Sequence, residues 1–184
     1  MGILCGIDEA GRGPIAGDLV IAGCILVQNI EGLNDSKKLS AKKREMLYER
    51  IITSDAHYHI VKFSASEIDE NGISKCLKNG LVEILESLKA DEYLFDGNTT
   101  FGVQNLQTMV KADGKIAEVS AASILAKVTH DRDILQEAKK YPEYGFEKHK
   151  GYGTKLHIEM IKKYGYSPIH RRSYRLKALE PTLF

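Results

Sequence analysis

The sequence predicts an α/β fold in which a mixed central sheet is flanked by helices. Two apolar, strand-like runs stand near the start of the 184-residue chain, and helical and strand-like segments are interleaved after them. The length is that of one medium-sized domain. We therefore expect residues 1–184 to form a single domain, with a basic, helical C-terminal segment from about residue 140 onward.

The first third of the chain predicts a hairpin, then a helix and a third strand. Residues 3–7 and 19–27 are almost wholly apolar, and the residues between them show no helical period. Ser40 is a suitable N-cap for a helix that extends to about residue 52. Residues 57–63 alternate between polar and apolar side chains, as in a half-buried strand.

The remaining elements follow from caps and periodicity. Residues 64–67 (SASE) form a capping-box pattern that predicts a short helix. Apolar side chains recur at helical spacing over residues 74–88. The other predicted elements are strands at 93–95 and near 106–110, and helices at 117–138 and 156–164.

The net charge of +1 conceals an uneven distribution. Residues 148–177 contain nine of the 26 Lys and Arg residues and a single acid, so the rest of the chain has 17 basic and 24 acidic residues. A basic segment beside an acidic body predicts a polyanionic partner on one face, although a solvated helix face would have the same composition.

The composition argues against a secreted or membrane protein. The three cysteines form no C-x-x-C pair, and Cys5 and Cys24 lie in apolar runs, where we expect buried thiols. No apolar stretch is as long as a membrane span, and no basic leader precedes the first apolar residues. We therefore expect a cytoplasmic protein without membrane contact.

Residues 7–14 (IDEAGRGP) permit two interpretations. Residues 11–16 fit the G-x-G-x-x-A dinucleotide fingerprint, which requires the glycine turn to open a helix. Here the turn leads into the apolar run at 19–27, and the preceding Asp8 and Glu9 would repel a pyrophosphate. A dinucleotide-dependent oxidoreductase is therefore the less favoured hypothesis.

The second interpretation makes the acids metal ligands. Successive residues of a strand point to opposite faces, so Asp8 and Glu9 can share a site only where the strand ends and the backbone turns. Asp96 follows an apolar strand and Asp113 lies in a turn before a helix, which are similar settings. Four such acids could form a two-ion site for phosphodiester hydrolysis, because hard divalent cations prefer carboxylate oxygens. Spacing alone does not select the last two from the 25 acids.

Several longer blocks resemble ribonuclease HII, the type 2 ribonuclease H family. In the family's order they are residues 7–14 (IDEAGRGP), 34–39 (NDSKKL), 95–97 (FDG), 121–128 (AASILAKV), 151–154 (GYGT) and 167–174 (SPIHRRSY). The second block resembles the bacterial branch in particular. The resemblance extends over nearly the whole chain.

The resemblance implies a ribonuclease-H-like fold and an endonuclease that cleaves the RNA strand of RNA–DNA hybrids. It also implies nicking of duplex DNA on the 5′ side of an embedded ribonucleotide, with 3′-hydroxyl and 5′-phosphate ends, in DNA replication and repair. The family's metal ligands correspond to Asp8, Glu9, Asp96 and Asp113, which would hold two Mg²⁺ or Mn²⁺ ions with Asp8 between them. The family commonly has Gly where this chain has Ala112.

The resemblance also implies substrate contacts. Gly11, Arg12 and Gly13 would read the 2′-hydroxyl through the backbone, since glycines let peptide groups approach a shallow minor groove. Tyr152 would stack at the deoxyribonucleotide after the ribose. His170 stands beside an arginine pair, and we expect it to be a phosphate or structural contact rather than a base, because metal ions would already generate the nucleophile. The implied phosphate contacts are Lys37, Ser123, Lys127, Arg171 and Arg172.

The expected partner is thus a nucleic acid duplex, bound by a monomer. One hypothesis of another class stays open at this point, namely a hybrid-binding module whose acids are only structural. Residues 176–184 could form a docking peptide for a sliding clamp, but packing of this tail on the domain is the simpler interpretation.

Overall fold

The protein is described here by a computed structural model over residues 2–33 and 36–176, without the side chain of Lys37. Five strands form one mixed sheet in the order β3-β2-β1-β4-β5. The strands are β1 (Leu4–Ala10), β2 (Leu19–Ile25), β3 (His57–Phe63), β4 (Glu92–Asp96) and β5 (Gln107–Met109). β2 is antiparallel to both β1 and β3, whereas β4 is parallel to β1 and β5 is parallel to β4.

In the described part of the chain, six helices and three short 3₁₀ turns connect and cover these strands. The helices are α1 (Ala41–Ile52), α2 (Ala65–Asn71), α3 (Ile73–Ser87), α4 (Ala117–Lys140), α5 (Phe146–His149) and α6 (Lys155–Tyr164). The 3₁₀ turns are Ser36–Lys38, Ala112–Gly114 and Pro142–Tyr144. Within the described ranges, no helix combines the length and the apolarity that crossing a membrane requires.

The two faces of the sheet pack against different helices. Ile7 of β1 belongs to one buried cluster with Leu81 of α3, while Ala22 of β2 belongs to a second cluster with Ile124 of α4. Burial on both faces explains why the first two strands appear in the sequence as continuous apolar runs. Because side chains alternate along a strand, Asp8 follows Ile7 on the opposite face, toward α4.

The start of α4 lies unusually close to β1. A Cβ atom added at Gly6 would stand 2.2 Å from the backbone nitrogen of Val119, a distance that no side chain tolerates. Glycine at this position therefore lets the first turns of α4 contact the strand two residues before Asp8.

The C-terminal segment packs against the loop of residues 11–18, which joins β1 to β2. Ile15 of this loop lies in a third cluster with Phe146 and Ile161. Its backbone N–H donates to the carbonyl of Gly151, and its carbonyl accepts from the N–H of Arg171, both at 2.9 Å. Chain segments far apart in sequence thus build one surface beside the ends of the central strands.

Most sequence predictions of structure are confirmed. The fold class, the hairpin, the helix capped by Ser40 and the capping box at Ser64 are all present, and Cys5 and Cys24 are buried. The predicted end of the first strand at residue 7 is wrong, because pairing with β2 continues as far as Ala10. The tail proposed to dock on a clamp lies, apart from residue 176, outside the described residues.

Candidate active site

Three predicted metal ligands come together at one edge of the sheet. Asp8 lies on β1, and Asp96 ends β4, the parallel neighbour of β1, so the two acids lie side by side. Asp113 lies in the 3₁₀ turn after β5, which pairs with β4 as far as Asp96. One carboxylate oxygen from each acid lies within 4.8 Å of the others. The topology therefore assembles acids from three separate parts of the chain.

Backbone hydrogen bonds hold Asp96 in place. Its Oδ1 accepts from the N–H of Lys111 at 2.9 Å, and its Oδ2 accepts from the N–H of Asp113 at 3.2 Å. Lys111 has a left-handed backbone (φ 59°), which bends the chain so that successive N–H groups can face the carboxylate. The turn before α4 thus orients one acid and contributes the next.

Glu9 borders the same cavity but does not belong to the close group of three. It lines this cavity together with Asp8, Asp96 and Asp113. Its Oε1 stands 3.9 Å from Nη1 of Arg12, whereas its Oε2 is buried and has no hydrogen-bond partner among the described residues. A buried carboxylate oxygen without a partner is costly, so this atom indicates a position where a cation would be favourable. We use the name carboxylate cluster for these four acids.

The electrostatics of the carboxylate cluster agree with that inference. Burial, followed by the charge of Glu9, raises the pKa of Asp8 well above its ordinary value, although a hydrogen bond from Ser123 opposes the shift. Burial also raises the pKa of Glu9, with the Arg12 charge opposing and the Asp96 charge adding to the shift. Divalent cations would relieve both desolvation and mutual repulsion. The donor set consists of carboxylate oxygens alone, which suits hard cations.

The loop after β1 follows a path that requires glycine. Gly11 has φ 86°, and a Cβ there would stand 2.3 Å from the carbonyl oxygen of Asp18 and 2.6 Å from Cδ2 of His130. The loop therefore lies against the chain beneath it, with no space for a side chain at this position.

Arg171 lies under this loop and fixes its shape. The side chain is only 1% exposed. Its guanidinium donates to loop carbonyls, namely those of Gly11 (2.6 Å), Pro14 (2.9 Å) and Gly17 (2.8 and 3.0 Å). A planar group with five donors is suited to collect several carbonyls at once. These carbonyls are thereby turned inward, toward the guanidinium.

Tyr152 stands beside the glycine loop at the opposite side of the cavity. The residue is 46% exposed, and a Cβ added at Gly13 would lie 3.6 Å from its Cε1. Gly151 before it has φ 83°, and a Cβ there would meet the carbonyl oxygen of Ala16 at 2.3 Å. The ring therefore stands on a glycine that touches the loop, and we use the name recognition platform for residues 11–17 together with Tyr152.

The carboxylate cluster and the recognition platform adjoin each other. Asp8 and Glu9 line the cavity of the carboxylate cluster and also a second cavity, which Gly11, Gly13 and Tyr152 line. A polymer lying along both cavities would therefore contact the acids and the platform at once.

Comparison with known proteins identifies the family. The model of the family described as Ribonuclease HII matches residues 5–177. The chain belongs to the ribonuclease HII family. Ribonucleases HII are metal-dependent endonucleases that act on RNA–DNA hybrids.

Individual ribonucleases HII are similar to the chain over nearly its full length. It is 65% identical to the Ribonuclease HII of Sulfurovum sp. (strain NBC37-1), over 98% of this chain and 96% of that protein. Among solved structures it resembles the ribonuclease HII of the PCNA:RNase HII complex from Archaeoglobus fulgidus, with a TM-score of 0.82, 30% identity and 98% of each chain covered. It also resembles ribonuclease H2 from Pyrococcus horikoshii OT3, with a TM-score of 0.77, 33% identity, and 94% and 93% of the two chains covered.

The predicted phosphate contacts lie in different environments in the structure. Ser123 and Lys127 line the cavity of the recognition platform, where Ser123 Oγ is 2.8 Å from Ser36 Oγ and Lys127 Nζ is 2.7 Å from Asp131 Oδ1. Arg172 is exposed on the surface. The side chain of Lys37 lies outside the described part of the chain.

Arg171 does not fit its predicted contact with phosphate. Its guanidinium is buried and already donates to the loop carbonyls, so it faces the interior and not the cavity. His170 is likewise buried, which agrees with a structural contact. The signal for burial was weak in the sequence, because adjacent arginines ordinarily indicate an exposed basic patch.

Sequence reasoning missed two lysines that line the cavity of the carboxylate cluster, Lys38 and Lys111. Lys111 stands two residues before Asp113, and Lys38 lies in the 3₁₀ turn facing the sheet edge. The available signals were the closeness of Lys111 to Asp113 and that of Lys38 to Lys37, a predicted phosphate contact. The dinucleotide interpretation is wrong, because the glycine loop leads into β2 and opens no helix.

Proposed function

We propose that this ribonuclease HII cleaves the RNA strand of hybrids and nicks duplex DNA 5′ of an embedded ribonucleotide, leaving 3′-hydroxyl and 5′-phosphate ends. The observation that carries the proposal is the shared wall of the two cavities. Asp8 and Glu9 adjoin both the acids suited to metal and the glycine loop suited to a ribose. Hydrolysis and recognition of the 2′-hydroxyl then fall on neighbouring nucleotides.

In this proposal the carboxylate cluster is the metal site of the enzyme. Asp8, Glu9, Asp96 and Asp113 would hold two Mg²⁺ or Mn²⁺ ions. When bound, such ions activate water and neutralise charge at the scissile phosphate and its leaving oxygen. The chain contributes the orientation of Asp96 by two backbone N–H groups and the exclusion of water from the buried face of Asp8.

The recognition platform would distinguish ribose from deoxyribose. The backbone around Gly11, Arg12 and Gly13 would contact the 2′-hydroxyl, the feature that distinguishes RNA from DNA. Tyr152, half exposed beside Gly13, would stack on the next deoxyribonucleotide. Lys37, Ser123, Lys127 and Arg172 would position phosphates without reading sequence.

Three further assignments are part of the proposal. Residues 1–184 would act as one catalytic domain, as a monomer and in the cytoplasm, during ribonucleotide removal in replication and repair. Docking on a sliding clamp through residues 176–184 stays a prediction. The solved complex of a relative from Archaeoglobus fulgidus with PCNA is what recommends a binding test.

One assay decides the proposal. A labelled DNA duplex with one ribonucleotide is incubated with the protein and Mg²⁺ or Mn²⁺, beside an all-DNA duplex of the same sequence. We expect a nick on the 5′ side of the ribonucleotide and none in the all-DNA duplex. Absence of that nick with both ions would overturn the proposal.

The hybrid-binding module without catalysis is tested separately by calorimetric titration with Mn²⁺. The proposal expects saturable binding that Asp8→Asn weakens. A module whose acids are structural would bind hybrid equally well in EDTA and would show no such Mn²⁺ binding.

A further inference from the structure

Three buried histidines lie behind Tyr152, and the proposed reaction uses none of them. His149, His157 and His170 are 7%, 0% and 2% exposed. The rings of His149 and His157 stack with centroids 4.2 Å apart, and Phe146 packs edge-on against both. The cluster lies within the C-terminal segment, where the sequence placed the basic residues.

The hydrogen bond between His170 and His157 has a defined donor and a defined acceptor. The backbone N–H of Ser167 donates to Nδ1 of His170 at 2.8 Å, so this Nδ1 must be an acceptor. In a neutral ring the proton of His170 then lies on Nε2, which is 2.9 Å from Nε2 of His157. His157 Nε2 is therefore the acceptor of that contact, and its own proton lies on Nδ1.

The chain of hydrogen bonds ends on the backbone of Tyr152. Nδ1 of His157 is 2.9 Å from the carbonyl oxygen of Tyr152, to which it donates. The same oxygen accepts from the N–H of Thr154 at 2.8 Å, and the N–H of Tyr152 donates to the carbonyl of His149 at 2.9 Å. The peptide groups that carry the exposed ring are thus held from the interior.

Both linked histidines are neutral at physiological pH. Burial lowers the pKa of His157 and that of His170 to about 4; the nearby His149 adds to both shifts, and His157 adds to the shift at His170. A proton added to either ring would place two donors face to face or oppose the Ser167 N–H. The single arrangement of protons is therefore set by one backbone N–H at its start.

We propose that His157 and His170 are positioning residues that set the Tyr152 ring for ribonucleotide–deoxyribonucleotide junctions. The inference rests on the proposed role of Tyr152 in the proposed function. His157 does not touch the substrate; it acts through the Tyr152 carbonyl. The step that depends on it is the selection of a single ribonucleotide, because long hybrids offer ribose on both sides of the cut.

The test compares two substitutions at one position. In His157→Asn the amide nitrogen can take the place of Nδ1 and still donate to Tyr152, whereas His157→Phe fills the space without a donor. We measure kcat/KM on a duplex with one ribonucleotide and on a uniform RNA–DNA hybrid, below the Tm of each variant. We expect His157→Phe to lower the ratio of the two values about tenfold and His157→Asn to recover most of it.

A double substitution separates positioning from a general structural role. If His157 acts through the tyrosine, His157→Phe lowers the ratio no further in a Tyr152→Ala background. The matched control is His59→Phe, which changes a half-buried histidine on β3 far from the platform and should leave the ratio unchanged. Nitrogen-15 spectra of the wild-type rings should show a proton on Nδ1 of His157 and on Nε2 of His170.

Each other outcome contradicts the positioning role, the role of Tyr152 or the proposed function. An unchanged ratio in folded His157→Phe, an equal loss on both substrates, or a loss that persists in Tyr152→Ala overturns the positioning role alone. A wild-type ratio in Tyr152→Ala itself overturns the role of that tyrosine and, with it, this inference. No nicking by the wild-type protein overturns the proposed function before the histidines are considered.

Discussion

The carboxylate cluster and the recognition platform lie side by side, yet their polar groups are satisfied in opposite ways. In the cluster, Oε2 of Glu9 is buried without a partner in the described structure, and burial together with the neighbouring acids raises the pKa of Asp8. Under the platform, the guanidinium of Arg171 donates to several carbonyls. His170 is hydrogen-bonded to His157, and His157 is hydrogen-bonded to the carbonyl of Tyr152. The buried Glu9 oxygen is left for a ligand to complete, whereas Arg171, His157 and His170 are paired within the protein, although Nδ1 of the adjacent His149 has no hydrogen-bond partner among the described residues.

The two regions therefore affect the stability of the protein in different ways. Crowded carboxylates destabilise the protein without a cation, and that free energy is recovered only on binding. The hydrogen bonds from Arg171 to the loop carbonyls instead make one conformation of the loop much more stable than others. We therefore expect bound ions and changes of charge to have their largest effects at the carboxylate cluster. Substitutions that change side-chain shape and hydrogen bonding should have theirs at the recognition platform.

The largest expected effect follows from removing one charge of the cluster. Asp8→Asn should lower the cleavage rate about a thousandfold, which corresponds to about 4 kcal/mol of lost charge stabilisation. The same substitution should raise the Tm of the metal-free protein, because it removes a repelled, buried charge. Single-turnover cleavage and thermal unfolding in EDTA measure the two effects.

Glu92→Gln, at the exposed opposite end of β4, is the matched control and should change neither quantity. A lower Tm for metal-free Asp8→Asn would contradict the contrast between the two regions.

The next largest effect concerns the hydrogen bonds of Arg171 under the recognition platform. Arg171→Met should lower the free energy of unfolding by about 3 kcal/mol, since several buried carbonyls lose their donors at once. Urea unfolding measures this loss. Arg172→Met changes the exposed neighbour and should cost less than about 0.5 kcal/mol. Equal losses at the two positions would show that the loop does not depend on the buried guanidinium.

A third prediction uses pH. The pKa of His157 and that of His170 are about 4 in the folded protein, below the ordinary 6.5, so between these values the unfolded chain binds more protons. The contribution of these two rings to stability should thus fall as pH falls from about 6.5 toward 4, at up to about 1.4 kcal/mol per pH unit for each ring.

His157→Phe removes one of these groups and should reduce that slope accordingly. Urea unfolding at several pH values in EDTA measures it, with His59→Phe as the comparison. Identical slopes for wild type and His157→Phe would mean that the ring is not held neutral.

The smallest effect is expected at the border of the two regions. Lys127 lines the cavity of the platform while paired with Asp131, so Lys127→Met should weaken duplex binding severalfold and lessen its dependence on salt. Lys62→Met is matched, because Lys62 forms a similar pair with Asp133 but does not line that cavity. Duplex binding is measured at two or more salt concentrations. Equal affinity and equal salt dependence in Lys127→Met and Lys62→Met would contradict the assignment.

The sequence predicts the strands and helices well because their signals are local. Continuous apolar runs, the Ser40 cap and the Ser64 capping box each lie within a few residues of the element they define. The end of β1 was mispredicted because Asp8 and Glu9 interrupt the apolar run while the pairing with β2 continues. Backbone pairing does not depend on side-chain polarity, so the hydrophobic pattern could not reveal it.

The sequence proposes ligands for the site but gives no sign of the residues that support them. The family resemblance singles out four acids, but their spacing in the sequence does not show that three carboxylates meet. The inward turn of Arg171 and the directed histidine chain depend on contacts across most of the chain. No pattern in a single segment records such contacts.

The contact of Arg171 with Gly11 joins residues 160 positions apart. During synthesis the N-terminal residues emerge first, so β1, which carries two of the proposed metal ligands, can pair with β2 long before the arginine exists. The loop that we propose to contact the sugar acquires its shape only after residue 171 has left the ribosome. The order of translation would thus keep a nascent chain from selecting substrates before its fold is complete.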